Sequence, residues 1–304
     1  MLLLQSLPQV GEKALTRLLA GAALRRFTPE AILCMSAEEL QRELELDARA
    51  AAYLAANRAS LVQQSAELAR NIRSYPVQLL AFSGAAYPSR IDRYASIPPP
   101  LVYAVGNLQL LDESTSNGAA PGVTSPFTFT IAVSRSAAQG TLVKLDELGT
   151  ELVIAGGVPV TGHERAEYQR LALSAQRRNA PTIYVFDRGL REALGPEFNL
   201  PPFAAARIRD VEFELKRDLA LSQFRLTDHC LGGNNRKRDS LIFSLSDVVI
   251  ALDVAPNGAM YAECLRAYRQ GKKVFVSATG RDGNRALIDN GVPLLPAAIV
   301  REEL

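Results

Sequence analysis

The 304-residue sequence has no tryptophan, only two histidines and only three cysteines, and its 34 basic and 32 acidic residues leave a formal charge of +2. Each scarcity narrows the chemistry. Few aromatics stand near the motifs described below, so base-stacking contacts are left unassigned. Cys34, Cys230 and Cys264 are odd in number and widely spaced, which argues against a disulfide framework and fits a reducing compartment. His229-Cys230 offers two adjacent ligands, but no CxxC or HxxxH spacing supplies the rest, so neither metal nor cofactor is expected. The near-cancelled charge gives no global attraction to nucleic acid or an acidic membrane, and any polyanion site must be local. No run approaches the roughly 18–20 apolar residues of a membrane span. The start, MLLLQSLPQVGEK, lacks a basic region and a small-residue cleavage site, so no secretion signal and a cytoplasmic location are expected.

What the chain does contain is a set of apolar runs. The stretch 127–140, FTFTIAVSRSAAQG, passes from an aromatic and β-branched run through Ser134-Arg135-Ser136 into small residues. It reads as strand, turn and helix. The runs 152–156 (LVIAG), 182–187 (TIYVFD), 248–254 (VVIALDV) and 273–278 (KVFVSA) repeat the pattern, without strict alternation, as strands buried on both faces do. Strands separated by helix-length segments predict a doubly wound, mostly parallel Rossmann-like α/β sheet. Ligands of such sheets sit outside the carboxyl ends of the strands, where Ser134, Arg135 and Ser136 would meet a phosphate.

Residues 1–74 lack strand-like runs and carry apolar positions at helical spacing, such as Leu15, Leu18 and Leu19. They predict a small all-helical domain with a helix-hairpin-helix-like turn at residues 7–11. Ser36 and Glu39 have the spacing of a capping box. The second domain, 75–304, opens with a lead-in segment over 75–111. A polar insertion at 112–126, DESTSNGAAPGVTSP, reads as a flexible loop. His163-Glu164 is not an acid/base pair, because neighbours on a helix point about 100° apart; it reads as a surface histidine opening a helix. The charged run 203–218 reads as a solvated helical face. The loop 232–240, GGNNRKRDS, carries three cations and suits a flexible chain of phosphates.

Tyr87-Pro88 and the run 99–107 (PPLVYAVGN) resemble the opening of the core in the DNA-processing protein A family, also called DprA or Smf, within the Rossmann-like SLOG superfamily. Val133-Ser134-Arg135 resembles its V-G-S-R turn without the glycine. Ala155-Gly156-Gly157-Val158 and Ala172-Leu173 resemble fragments of its second motif, and 182–190 resembles its T-I-A-V-L-x-x-G-L strand. The run 238–247 (RDSLIFSLSD) resembles R-N-R-x-I-x-x-L-S with one arginine lost, Asn257-Gly258 keeps the glycine of a later turn, and 283–288 (GNRALI) resembles the family's ending. Gly140 comes one residue early, and the helix before Gly149 looks short. No C-terminal winged-helix domain is expected.

The resemblance implies a non-catalytic, cytoplasmic, homodimeric protein that binds single-stranded DNA and assists a RecA-type recombinase in transformation and recombination. Its phosphate contacts would be Ser134, Arg135, Ser136, Gly156, Arg188, Arg236, Lys237, Arg238, Asn257 and Gly258. Two alternatives stay open. One is a nucleotide-binding or nucleotide-hydrolysing protein using Arg238 and Glu263, since Glu263 stands in register with the glutamate of the related phosphoribohydrolases. The other is a degenerate dimeric scaffold.

Overall fold

The computed structural model describes residues 7, 10–112, 127–203, 206 and 212–296. Residues 8–9 of the expected hairpin turn, the 113–126 part of the insertion, and Arg207 and Arg209 of the charged run lie outside the described residues. The chain packs into two compact units, Met1–Asp92 with Ser96–Tyr103, and Arg93–Ala95 with Ala104–Leu304.

Five helices build most of the first unit: α1 (Glu12–Leu24), α2 (Pro29–Cys34), α3 (Ala37–Leu44), α4 (Ala48–Ala56) and α5 (Arg58–Arg73). Each short helix starts at a side chain able to accept from orphan amides. Thr28 caps α2, with Pro29 in its first turn. Asp47 caps α4. Ser36 and Glu39 form the reciprocal box on α3, with Glu39 N donating to Ser36 Oγ at 3.1 Å and Ser36 N donating to Glu39 Oε2 at 2.7 Å. The apolar positions Leu15, Leu18, Leu40, Leu44, Ala50, Leu54 and Leu61 meet in one core. Strand β1 (Val77–Ala81), helix α6 (Ser89–Tyr94) and strand β2 (Leu101–Gly106) follow, and β2 carries the chain into the second unit.

The second unit is organised by β3 (Phe127–Val133), α7 (Gln139–Ile154), β4 (Gly157–Thr161), α8 (Ala166–Gln176), β5 (Ile183–Phe186) and α9 (Leu190–Leu194). It continues with β6 (Leu219–Ser222), α10 (Asn234–Leu245), β7 (Val248–Asp253), α11 (Ala259–Arg269), β8 (Lys273–Val276) and α12 (Asp282–Asp289). The strands lie in the order β6-β5-β4-β3-β7-β8, each neighbouring pair parallel. The chain thus winds outward from β3 to β6, returns to the other side of β3, and winds out again. This is the doubly wound arrangement, with its switch point between β3 and β7. Phe129, Ile131 and Val133 face α7 and α8 in one core with Leu145, Leu148, Leu152 and Leu171.

Three expectations change here. Leu152–Ile154 ends α7 rather than forming a strand, and the strand begins at Gly157. A short apolar run fits a buried helix turn as well as a strand, and the helix captures it because Leu145, Leu148 and Leu152 share one stripe. Helix α7 is therefore 16 residues long and runs through Gly149 instead of stopping short of it. A Cβ at Gly149 would lie 3.1 Å from Ser174 Oγ and 3.2 Å from Leu171 Cδ1, so the glycine sets how closely α7 approaches α8. Finally, the described part of the charged run is a coil and a turn leading into buried β6, with Asp218 fully buried and accepting from Thr182 N and Glu214 N at 3.1 Å each. Its charge serves the start of a strand, not a solvated helical face.

Candidate nucleic-acid interface

Because the six strands are parallel, their carboxyl ends share one edge, and the turns after β3, β4, β5 and β7 line it. After β3, Ser134 N donates to Asp253 O and Ala255 N donates to Ser134 Oγ, both at 2.8 Å, which ties the turn across the switch point. Ser134 is consequently buried, whereas Arg135 and Ser136 are exposed. Ser136 holds φ at 60°, an unfavourable region for a side chain. Its carbonyl accepts from Arg281 Nη2 at 2.8 Å, and Arg281 N also donates to Asp253 Oδ1 at 3.0 Å. Arg281 braces the turn, a role its position in the sequence did not announce.

A dense charged cluster lies at the ends of β4 and β5. Arg238, the largest fully buried side chain among the described residues, donates from Nη1 to Asp187 Oδ2 at 2.9 Å and from Nη2 to Asp239 Oδ1 at 2.9 Å. Its guanidinium stacks 5.0 Å from the Tyr168 ring, whose hydroxyl donates to Asp239 Oδ1 at 2.7 Å. Arg188 is half-buried, donates from Nε to Asp187 Oδ1 at 3.2 Å, and pairs with Glu164. His163 is 7% exposed and packs against Phe186 with the ring planes tilted by 44°, contrary to the expected surface histidine. Burial lowers its pKa to about 4, reinforced by the Arg188 and Arg238 charges and partly offset by Asp187. Burial and the nearby Asp187 charge push the Glu164 carboxyl up. Burial alone would raise Asp187, but His163, Arg238 and Arg188 hold it below the usual carboxylate range.

The segment read as a cationic loop at 232–240 is a helix start. Gly233 at φ 108° caps α10, which begins at Asn234. Asn234 Nδ2 donates to Asp187 O at 2.8 Å, anchoring this helix N-terminus beside the end of β5. Arg236 and Lys237 are exposed, with Lys237 Nζ 5.8 Å from the Phe224 ring centre, while Arg238 turns inward. After β7, Asn257 is exposed at φ 57° and Gly258 caps α11.

The expected contacts thus separate into groups. Arg135, Ser136, Arg236, Lys237 and Asn257 face outward on the carboxyl edge, with Gly258 half-buried beside them. Arg188 and Arg238 are there too, but their charges are met by carboxylates. Gly156, at φ 87°, closes α7 just before β4 and so lies at the amino edge; it is not part of this surface. Arg238 and Glu263 share no partner, since Glu263 is held by Arg266 at the other side of the switch point. Asp187, Asp239 and Tyr168 were not singled out from the sequence. A carboxylate directly after a wholly apolar strand was the signal available for Asp187.

No protein-family model and no curated protein matches the sequence. Solved structures do. DNA processing protein A from Streptococcus pneumoniae superposes with a TM-score of 0.71 over 94% of this chain and 90% of that one, at 17% identity. DNA processing protein A from Helicobacter pylori, described for its single-stranded DNA binding mode, gives a TM-score of 0.54 over 72% of this chain and 90% of that one, at 21% identity. At these identities the shared property is the fold.

Proposed function

We propose that the chain is a divergent member of the DNA-processing protein A family that binds single-stranded DNA along the carboxyl edge of its sheet. The observation that carries this reading is the division of the cations. Arg135, Arg236 and Lys237 point outward from turns and a helix N-terminus on one edge, while Arg188 and Arg238 are neutralised inside. The ends of β3 and β5 lie two strand spacings apart, about 10 Å, so the outward cations suit an extended polyanion better than one compact phosphate. Ser136 would donate from its hydroxyl, and the first amides of α10 and α11 add favourable partial charge. Through the resemblance alone, the proposal extends to a cytoplasmic homodimer that assists a RecA-type recombinase in transformation and recombination.

The test is fluorescence anisotropy of a labelled oligothymidine against wild type, Arg135→Ala and the Arg236→Ala/Lys237→Ala double variant, each across a salt series. Three phosphate contacts give a slope of log K against log salt of about −2, reduced by about 0.7 in the single variant and about 1.4 in the double one. Absence of binding to wild type at low salt sinks the reading. An unchanged slope in both variants removes this surface from it.

A further inference from the structure

We propose that His163, Glu164 and Asp187 form a binding site for a divalent transition-metal ion at the ends of β4 and β5. The site is independent of DNA binding and uses side chains the nucleic-acid reading leaves idle. His163 Nε2 lies 3.7 Å from Asp187 Oδ1 and 3.8 Å from Glu164 Oε1, and one ligand atom from each residue falls within 4.8 Å of the other two. Donors that share an ion at about 2.1 Å stand about 3–3.5 Å apart, so closing on a metal brings His163 Nε2 about 0.2–0.8 Å nearer to each carboxylate.

Two further features point to a missing ligand. The His163 ring is more than nine-tenths buried, and its Nε2, the nitrogen nearest the two carboxylates, lies beyond hydrogen-bond distance of both. Asp187 is held from behind, because Arg238 occupies Oδ2 at 2.9 Å, while Oδ1 faces His163 and accepts from Arg188 Nε at 3.2 Å. That is how a supporting shell fixes a metal-ligating carboxylate. Glu164, whose side chain is 36% exposed, closes the site from the solvent side. A cavity of about 300 Å³ lined by His163, Arg188 and Phe203 adjoins it.

In the metal-free chain, Arg188 supplies the positive charge by bridging Asp187 and Glu164. Its side chain is 25% exposed, and a bound ion would turn it out towards the cleft. One imidazole with two carboxylates suits Zn²⁺ or Mn²⁺ over Ca²⁺ or Cu⁺.

The full chain, stripped with EDTA and dialysed, is titrated calorimetrically with zinc chloride and with manganese chloride, alongside His163→Asn, Glu164→Gln and Arg188→Gln. Thermal melts of the metal-free variants check folding. The expected result is one saturable site, weakened at least tenfold in His163→Asn and in Glu164→Gln, and tightened in Arg188→Gln, where the competing cation is gone. The chain has only two histidines, so ¹⁵N spectra of the imidazoles give a second readout. Zinc should move the His163 nitrogens and spare those of His229. The proposal is overturned by lack of saturable binding, by undiminished binding in the two ligand variants, by weaker binding in Arg188→Gln, or by a zinc shift confined to His229.

Discussion

Arg238 is the position at which sequence and structure assign opposite roles, and Arg238→Ala separates them. In the structure its guanidinium neutralises Asp187 and Asp239, which are 0% and 5% exposed, and it is itself 1% exposed. Alanine leaves buried Asp239 without its counter-charge and buried Asp187 with Arg188 alone, and opens a void beneath Tyr168. Removing one partner of a buried ion pair costs about 3–5 kcal/mol. Against a total stability of about 5–15 kcal/mol this is a large fraction. For a unit of this size it corresponds to a fall in Tm of about 6–20 °C. With no tryptophan in the chain, the assay is circular dichroism at 222 nm under heat and urea, with Arg135→Ala as the exposed control that should melt as wild type. Asp187→Asn in the same background should return part of the loss, and the double-mutant cycle gives the coupling. The reasoning is refuted if Arg238→Ala melts within about 0.5 kcal/mol of wild type while its salt slope for oligothymidine falls by about 0.7. Arg238 would then be a phosphate contact and not an internal counter-charge.

Two further predictions address other parts of the chain. Ser36→Ala removes one half of the box on α3 and should cost about 0.5–2 kcal/mol, read as an increase of about 2- to 30-fold in hydrogen exchange at the first-turn amides of α3; unchanged exchange would remove the cap from the account. Burial pushes the hydroxyls of Tyr87, Tyr168 and Tyr184 well above the ordinary tyrosine value of about 10, with Asp92, Asp239 and Asp218 respectively adding to the shift. Their folded-state pKa is raised, so this stability is fully present below pH 10 and is lost as pH rises beyond it. In an alkaline absorbance titration of the nine tyrosines, these three should ionise only as the fold is lost, and Tyr184→Phe should remove one tyrosine from that late phase; early ionisation of all nine would contradict their burial.

The legible parts of the fold were those written in local chemistry. The apolar runs at 127–133, 182–187, 248–254 and 273–278 coincide with β3, β5, β7 and β8 to within two residues, because a strand covered on both faces is a continuous apolar run. The Ser36–Glu39 box was legible for the same reason, since its partners are three residues apart. Strand β6 was not, being four residues beside a run of charges, and Leu152–Ile154 was assigned to a strand because a short apolar run carries no period of its own.

The candidate site divides along the same line. Chain order and parallel strands placed Ser134, Arg135, Arg188 and Asn257 at strand ends, and that placement followed from the amino-acid sequence by itself. Which way the side chains point was decided only by the tertiary structure. Arg236, Lys237 and Arg238 are consecutive basic residues on one helix, and each step turns the side chain by about 100°. The first two therefore face solvent, and the third enters the interior, where Asp187, 51 residues earlier in the chain, is waiting to neutralise it. His163 is turned inward in the same way, against Phe186 from the neighbouring strand. Burial of a charge depends on a partner brought from far along the chain, and that pairing exists only once the sheet has assembled.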